Sequence, residues 1–85
     1  MAMKWIRNNV DGMTVYKCEV GSTRYLIWNL GRNGARLVVQ KCVAVQNPQT
    51  REWIDAWCSL KSMERLLDNV RMAKERAEFY FNQRG

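Results

Sequence analysis

Five basic residues lie in a stretch of the sequence that contains no acidic residue. The stretch covers residues 20–51, and its basic members are Arg24, Arg32, Arg36, Lys41 and Arg51. The whole chain has 14 Lys and Arg against 8 Asp and Glu, a net charge of +6, so most of the excess positive charge lies here. Clustered positive charge attracts polyanions. The stretch therefore predicts a surface that contacts the phosphates of a nucleic acid.

Polar side chains that could recognise bases lie among these charges. Arg, Asn and Gln make bidentate contacts to the edges of guanine and adenine, and Tyr can stack on an unpaired base. The residues that we assign to base contacts are Tyr25, Asn29 and Gln40. The alternative interpretation is an ordinary solvated sheet face, on which Lys and Arg discourage aggregation through strand edges.

The sequence has no pattern typical of catalysis or of metal binding. It contains no His, and it lacks the motifs of zinc proteases, phosphate-binding loops and serine hydrolases. Its three cysteines, Cys18, Cys42 and Cys58, are isolated from one another and make a poor zinc site. Cys58 has no His to activate it and is interpreted as a small buried hydrophobic residue. We expect a non-catalytic protein without metal, cofactor or small-molecule substrate.

Length and composition indicate one small globular domain over residues 1–85. The chain is 47% hydrophobic and 26% charged, which is typical of a folded protein. An odd number of cysteines without a CxxC pair favours a reducing compartment. The sequence shows no secretory signal and no apolar run approaching the ~20 residues that span a bilayer. We therefore expect a soluble cytoplasmic protein that does not bind membranes.

A β-hairpin must position the basic residues. Alternation and β-branched or aromatic residues predict strands at residues 13–20, 24–30 and 35–45. Asn33-Gly34 predicts a two-residue type I′ turn between the last two strands. This turn would pair Trp28 with Val39 and would place both on an apolar face. The apolar face would comprise Leu26, Trp28, Leu30, Leu37, Val39 and Lys41. The opposite, mixed face would comprise Tyr25, Ile27, Asn29, Arg36, Val38, Gln40 and Cys42.

The C-terminal part of the sequence predicts a long helix. Residues 52–58 fit either a strand or a helical turn with Trp53 stacked on Trp57, and the strand is favoured because Ser59 resembles a helix N-cap. The helix is expected over residues 59–82, with a length of roughly 35 Å. Its apolar face would comprise Met63, Leu66, Leu67, Val70, Ala73, Ala77 and Phe81.

Together these elements predict an α+β fold. An antiparallel meander of three to four strands over residues 13–58 would be followed by one long helix that packs on the apolar sheet face. This order is similar to that of the small DNA-binding domain at the N-terminus of some phage integrases. The resemblance lies in the order of elements, and it implies a sheet that reads the major groove. The leading hypothesis is a small nucleic-acid-binding accessory protein, encoded by a phage or other mobile element.

The alternative hypothesis is a protein-interaction module. It would be an inhibitor of a host protein or a self-associating subunit, with Trp53, Trp57, Phe79 and Tyr80 as anchors, because Trp and Tyr are enriched in interface hot spots. The three adjacent aromatic residues 79–81 cannot all face one core. They would pack on Trp5 and Ile6 or contact another chain, for example in a homodimer.

Overall fold

The computed structural model describes residues 3–83, which form one antiparallel sheet and one helix. The sheet has the strand order β1-β2-β3-β4-β5, and the short β6 also pairs with β4. The elements are β1 (Ile6–Val10), β2 (Met13–Val20), β3 (Thr23–Asn29), β4 (Ala35–Gln46), β5 (Trp53–Ser59), β6 (Arg65–Leu67) and α1 (Val70–Gln83). The predicted α+β class is confirmed, as is the antiparallel meander followed by a C-terminal helix, although residues 3–83 form six strands instead of three to four.

The core lies between α1 and one face of the central strands. Tyr25 and Ile27 of β3 and Leu37 and Val39 of β4 are fully buried there. Ala73 and Ala77, one helical turn apart, are also fully buried, and their small side chains allow α1 to approach the sheet closely. Residues partly buried around this core are Met3, Trp5, Tyr16, Leu60, Met63, Leu67, Val70, Tyr80 and Phe81.

The pairing of β3 with β4 differs from the predicted register. Trp28 pairs with Arg36 instead of Val39, and Tyr25 pairs with Val39. The shift is three residues, and an odd shift exchanges the faces of one strand relative to the other. The predicted faces of β3 are therefore wrong. Tyr25 and Ile27 lie under the helix, whereas Leu26 and Trp28 lie on the opposite face.

The turn explains this shift. A 3-10 turn at Gly31–Asn33 connects β3 to β4, and the Leu30 amide donates a hydrogen bond to the Gly34 carbonyl at 2.8 Å. A type I′ turn needs positive φ at both central residues, yet Asn33 is not among the described residues with positive φ. The connection from Asn29 to Ala35 is thus five residues long, and the predicted two-residue turn is wrong.

A turn with the predicted chemistry occurs earlier in the chain. Asp11 and Gly12 have φ angles of 51° and 80° and connect β1 to β2. Asp-Gly is as strong a hairpin signal as Asn-Gly, because both residues tolerate positive φ. This turn adds β1 to the sheet, so the sheet begins at Ile6.

The helix begins eleven residues later than predicted, at Val70 instead of residue 59. Residues 53–59 form strand β5, as favoured above, and residues 61–63 form a 3-10 turn before β6. Asn69, not Ser59, caps the helix, since its Oδ1 accepts a hydrogen bond from the Met72 amide at 2.9 Å. With 14 residues, α1 is about 21 Å long. No helix within residues 3–83 has the length and apolar character needed to cross a bilayer.

Strand β4 is longer than its neighbours and extends past them. Residues 35–41 pair with β3, while residues 40–46 pair with β5. The last contact of β4 on the β3 side is the Cys42 amide, which donates to the Ser22 carbonyl at 2.7 Å. Residues 42–58 therefore form a two-stranded hairpin that extends beyond the β2–β3 turn. We call this hairpin the ribbon.

Candidate interaction surface

The sheet face opposite α1 is not covered by any described element, and we call it the open face. The helix packs on β3, β4 and β6 from the other side. Along β4 the open face extends from Arg36 to Gln46, or about 33 Å at 3.3 Å per residue. The strand register assigns to it Ile6, Asn8, Val10, Met13, Val15, Lys17, Glu19, Arg24, Leu26, Trp28, Arg36, Val38, Gln40, Cys42, Ala44, Gln46, Trp53, Asp55, Trp57, Ser59 and Leu66.

Apolar side chains remain accessible along this face. Leu66 at one end and Trp53 at the other are each 68% exposed. Between them, Leu26, Trp28 and Val38 are half-buried on neighbouring strands. A shallow concavity of about 420 Å³ is lined by Met13, Trp28, Leu30, Arg36 and Val38. The open face thus offers apolar contact area and a shallow depression.

Arg24 connects several strands of the open face. Its Nε donates to Gln40 Oε1 at 2.8 Å, and its guanidinium carbon lies 4.4 Å from the centre of the Trp57 ring. Glu19 Oε1 is 4.0 Å from its Nη1, and the Arg24 side chain is 21% exposed. A planar guanidinium stacks on an aromatic ring and forms paired hydrogen bonds at once. Arg24 is therefore held in place by its own chain.

Arg36 is also paired. Its Nε donates to Glu64 Oε1 at 2.6 Å, and its Nη2 contacts the same oxygen. Glu64 follows the 3-10 turn that precedes β6, so this pair connects the loop to the sheet. A phosphate would have to displace Glu64 before it could bind Arg36 in the same way.

The remaining residues assigned to nucleic acid lie apart from one another. Tyr25 is fully buried beneath α1, so the prediction that it stacks on a base is wrong. Asn29 Oδ1 accepts a hydrogen bond from the Gly31 amide at 3.0 Å and shapes the turn. Arg32 is exposed at that turn, and Lys41 is exposed on the helix side of the sheet, about 20 Å further along β4. Arg51 lies at the tip of the ribbon.

The four aromatic residues of the alternative hypothesis do not form one surface either. Trp53 and Trp57 share the open face. Phe79 is exposed on α1, on the other side of the sheet, and Tyr80 is partly buried against the core. Trp5 and Ile6 are the two residues on which the aromatic residues 79–81 are predicted to pack. Trp5 packs on the core, whereas Ile6 lies on the open face.

The sequence analysis did not predict that Leu26, Trp28 and Leu66 lie on the open face. The predicted Asn33-Gly34 turn puts Leu26 and Trp28 under the helix. The spacing of Leu66 also fits a helix, which puts it on the predicted helix face. The Asp11-Gly12 signal could have revealed β1, but no local signal indicates that β6 pairs with β4.

The cysteines differ in their surroundings. Cys18 is buried, Cys42 is half-buried and Cys58 is exposed, so the expected burial of Cys58 is wrong. Burial raises the pKa of the Cys18 thiol, and a hydrogen bond from the Lys4 backbone lowers it in part. Among residues 3–83, no three Cys, Asp or Glu side chains come together in a way that could hold a metal ion.

Comparison with protein-family models, with curated proteins and with solved structures finds no match to this chain.

Proposed function

We propose that this protein is a protein-interaction module that binds its partner through the open face. The observation that carries the proposal is one uncovered sheet face, about 33 Å long, with Leu66 and Trp53 each 68% exposed near its ends. Trp and Arg are the residue types most enriched in interface hot spots. Arg24 is bonded to Gln40 and lies 4.0 Å from Glu19, and Arg36 is bonded to Glu64. A partner could therefore cover both arginines without leaving a charge unpaired.

The ribbon supports the same proposal. A two-stranded hairpin is marginally stable on its own in water, yet residues 42–58 extend beyond the body of the sheet. On the open face the ribbon carries Trp53, Trp57 and Ala44, and on its other side it carries Val43, Val45 and Ile54. Its charged residues are Arg51, Glu52 and Asp55, a net charge of −1. Its composition suits an apolar contact with a protein better than a contact with phosphates.

The test compares variants of the two most exposed large hydrophobic residues with a variant outside the open face. Tagged native chain, Trp53→Lys, Leu66→Lys and Arg32→Glu would be used to capture proteins from nuclease-treated native lysate, with quantification by mass spectrometry. We expect the proteins that the native chain retains to be lost with Trp53→Lys and Leu66→Lys and to be kept with Arg32→Glu. Circular dichroism confirms that each variant is folded.

Two outcomes would contradict the proposal. If all four chains capture the same proteins, or if the native chain captures none and does not self-associate, the open face is not an interaction surface.

Nucleic-acid binding is the second candidate, favoured by the net charge of +6. The side chains of Arg32, Lys41 and Arg51 form no salt bridge or hydrogen bond with any residue in the described range 3–83. If all three contact phosphates of a duplex, log K should fall with log salt at a slope of roughly −2.7, that is −0.9 for each phosphate. The slope is measured by fluorescence anisotropy with native chain and the triple Ala variant. No binding at about 50 mM salt would exclude this candidate.

A further inference from the structure

Strand β5 forms an edge of the sheet, and half of its backbone groups point away from β4. The Asn47 amide donates to the Glu52 carbonyl at 2.8 Å, and the Leu60 amide donates to the Val39 carbonyl at 2.7 Å. Hydrogen-bonded pairs alternate along an antiparallel ladder, so the β5 residues bonded to β4 are Ile54, Ala56 and Cys58. The residues whose amide and carbonyl groups point outward are Trp53, Asp55, Trp57 and Ser59.

This edge lacks the features that keep sheet edges from pairing. Edge strands of monomeric proteins are usually protected by Lys, Pro, a bulge or a covering element. Residues 53–59 contain no Lys, Arg or Pro, and Asp55 is their single charged residue. β5 is seven residues long with regular pairing to β4. No backbone hydrogen bond from another described element reaches its outward groups.

We propose that β5 pairs with β5 of a second copy, as antiparallel strands related by a two-fold axis at Ala56. This inference deepens the proposed function, because it names the partner of one part of the interaction surface. In this register Asp55 lies opposite Trp57 of the second copy, and Trp53 lies opposite Ser59 of the second copy. All four outward-pointing residues then form hydrogen-bonded pairs, with about eight backbone hydrogen bonds across the interface.

Neighbouring registers are less favourable. A shift of two residues in one direction places Asp55 opposite Asp55 of the second copy, and like charges directly opposite each other are destabilising. A shift in the other direction places Trp53 opposite residue 61, which lies in a 3-10 turn and has no strand geometry. With Ala56 on the axis, two small side chains meet at the centre of the interface, where the Cα atoms lie about 4.5 Å apart.

Charge complementarity supports the same register. Asp55 forms no salt bridge within residues 3–83. In the proposed pairing, it lies directly opposite Trp57 of the second copy, with the Cα atoms about 5.5 Å apart. Trp57 carries the Arg24 guanidinium over its ring. Each Asp55 carboxylate thus faces an indole ring that carries a cation, rather than another carboxylate, and the two-fold axis repeats this contact.

The pairing also suits the charge of the whole chain. The ribbon has a net charge of −1, whereas the chain has +6. Contact through the ribbon keeps the basic bodies of the two copies apart. A two-fold contact closes on itself, which is the commonest form of soluble homo-oligomer.

Disulfide trapping tests the register directly. In a background with Cys42→Ser and Cys58→Ser, Ala56→Cys would be compared with Ala44→Cys, which lies in the same ribbon on β4. The proposed axis places the two Cα atoms of residue 56 about 4.5 Å apart, within the range of a disulfide. The two Cα atoms of residue 44 would be at least about 14 Å apart, since three strand spacings separate them.

We expect oxidised glutathione to convert Ala56→Cys to a covalent dimer at least tenfold faster than Ala44→Cys, as read on non-reducing gels. Equal rates would overturn the proposed register.

A second test changes the charge of the edge strand in the chain without engineered cysteines. Asp55→Arg should raise the dimer dissociation constant at least tenfold by light scattering after size-exclusion chromatography, whereas Glu52→Arg, the same change outside the strand, should alter it less than threefold.

These outcomes can be separated from failure of the proposed function. A native chain that is monomeric at every concentration would overturn the edge pairing. If that monomer still captures proteins in a way that Leu66→Lys abolishes, the open face remains an interaction surface, because Leu66 lies outside β5. If neither behaviour is seen, both proposals are wrong.

Discussion

Arg24 shows how the surroundings of a single residue change what its type predicts. The sequence suggested a phosphate contact, but its guanidinium lies on the Trp57 ring and binds Gln40. Sequence composition correctly identified an arginine-rich region. It could not identify these partners, because Gln40 and Trp57 lie 16 and 33 positions away and are brought close only by strand pairing.

Replacement of this arginine by lysine tests its structural role. Lys keeps the charge but loses the planar stacking and the paired hydrogen bonds. We expect Arg24→Lys to lower the free energy of unfolding by about 1 kcal/mol, measured by urea denaturation. Arg32→Lys, at an exposed turn, serves as the control and should change it by less than about 0.5 kcal/mol. Equal effects of the two substitutions would contradict the role of Arg24.

The thiols should react with Ellman's reagent in the order of their exposure. In the native protein we expect rapid labelling of Cys58, slower labelling of Cys42 and protection of Cys18 until urea unfolds the chain. Thiolate is the reactive form, and burial raises the pKa of Cys18. Rapid labelling of all three native thiols would contradict the buried position of Cys18.

The same thiol gives stability a pH dependence with a defined sign. The folded-state pKa of Cys18 is raised above its ordinary value of 9.0, so as the pH increases the unfolded chain loses the proton first. The contribution of Cys18 is therefore present below about pH 9 and is lost as the pH rises towards its folded-state pKa. Urea titrations at pH 7 to 10 should show a steeper loss in native protein than in Cys18→Ala.

At the scale of elements, β6 determines how the hairpin of β3 and β4 ends. In the pairing of β6 with β4, Ala35 lies opposite Leu67 and Leu37 lies opposite Arg65. β6 therefore passes directly beside Gly34. A Cβ atom at Gly34 would lie 2.2 Å from the Leu67 carbonyl oxygen. The glycine is thus required by β6 rather than by a two-residue turn.

Alanine at this position should be strongly destabilising. Gly34 has φ of +96°, and the added methyl group would collide with backbone. We expect Gly34→Ala to lower the free energy of unfolding by about 2–4 kcal/mol. Gly21→Ala is the matched control, with φ of +59° but open space around it, and should cost about 1 kcal/mol. Similar losses at both glycines would show that the contact with β6 is unimportant. Thermal and urea unfolding measure the loss of stability in each of the two variants.

At the scale of the whole molecule, the buried core lies in the body of the sheet, whereas the proposed self-association site lies in the ribbon. The fully buried large side chains, Tyr25, Ile27, Leu37 and Val39, lie in the body of the sheet. None lies in the ribbon. The ribbon instead carries Trp53, Ile54 and the outward-pointing edge of β5.

Shortening the ribbon should therefore separate stability from interaction. Replacement of residues 44–55 by Asn-Gly would connect Val43 to Ala56, a hydrogen-bonded pair suited to a two-residue turn. We expect the far-ultraviolet circular dichroism to keep its helix signal and the protein to unfold cooperatively, whereas self-association measured by light scattering is lost. Failure of this shortened chain to fold would show that the ribbon supports the core.

From the sequence alone, the fold class, a favoured strand near residues 52–58 and the position of the excess positive charge could be predicted. Alternation, helical spacing and composition are local properties, and they survive folding unchanged. Long-range pairing sets which sheet face is open, where the helix begins and which residues bind Arg24 and Arg36. These features depend on the three-residue shift in the β3–β4 register and on the pairing of β6 with β4. In both cases, backbone groups that are distant in the sequence form hydrogen bonds that local propensity does not predict.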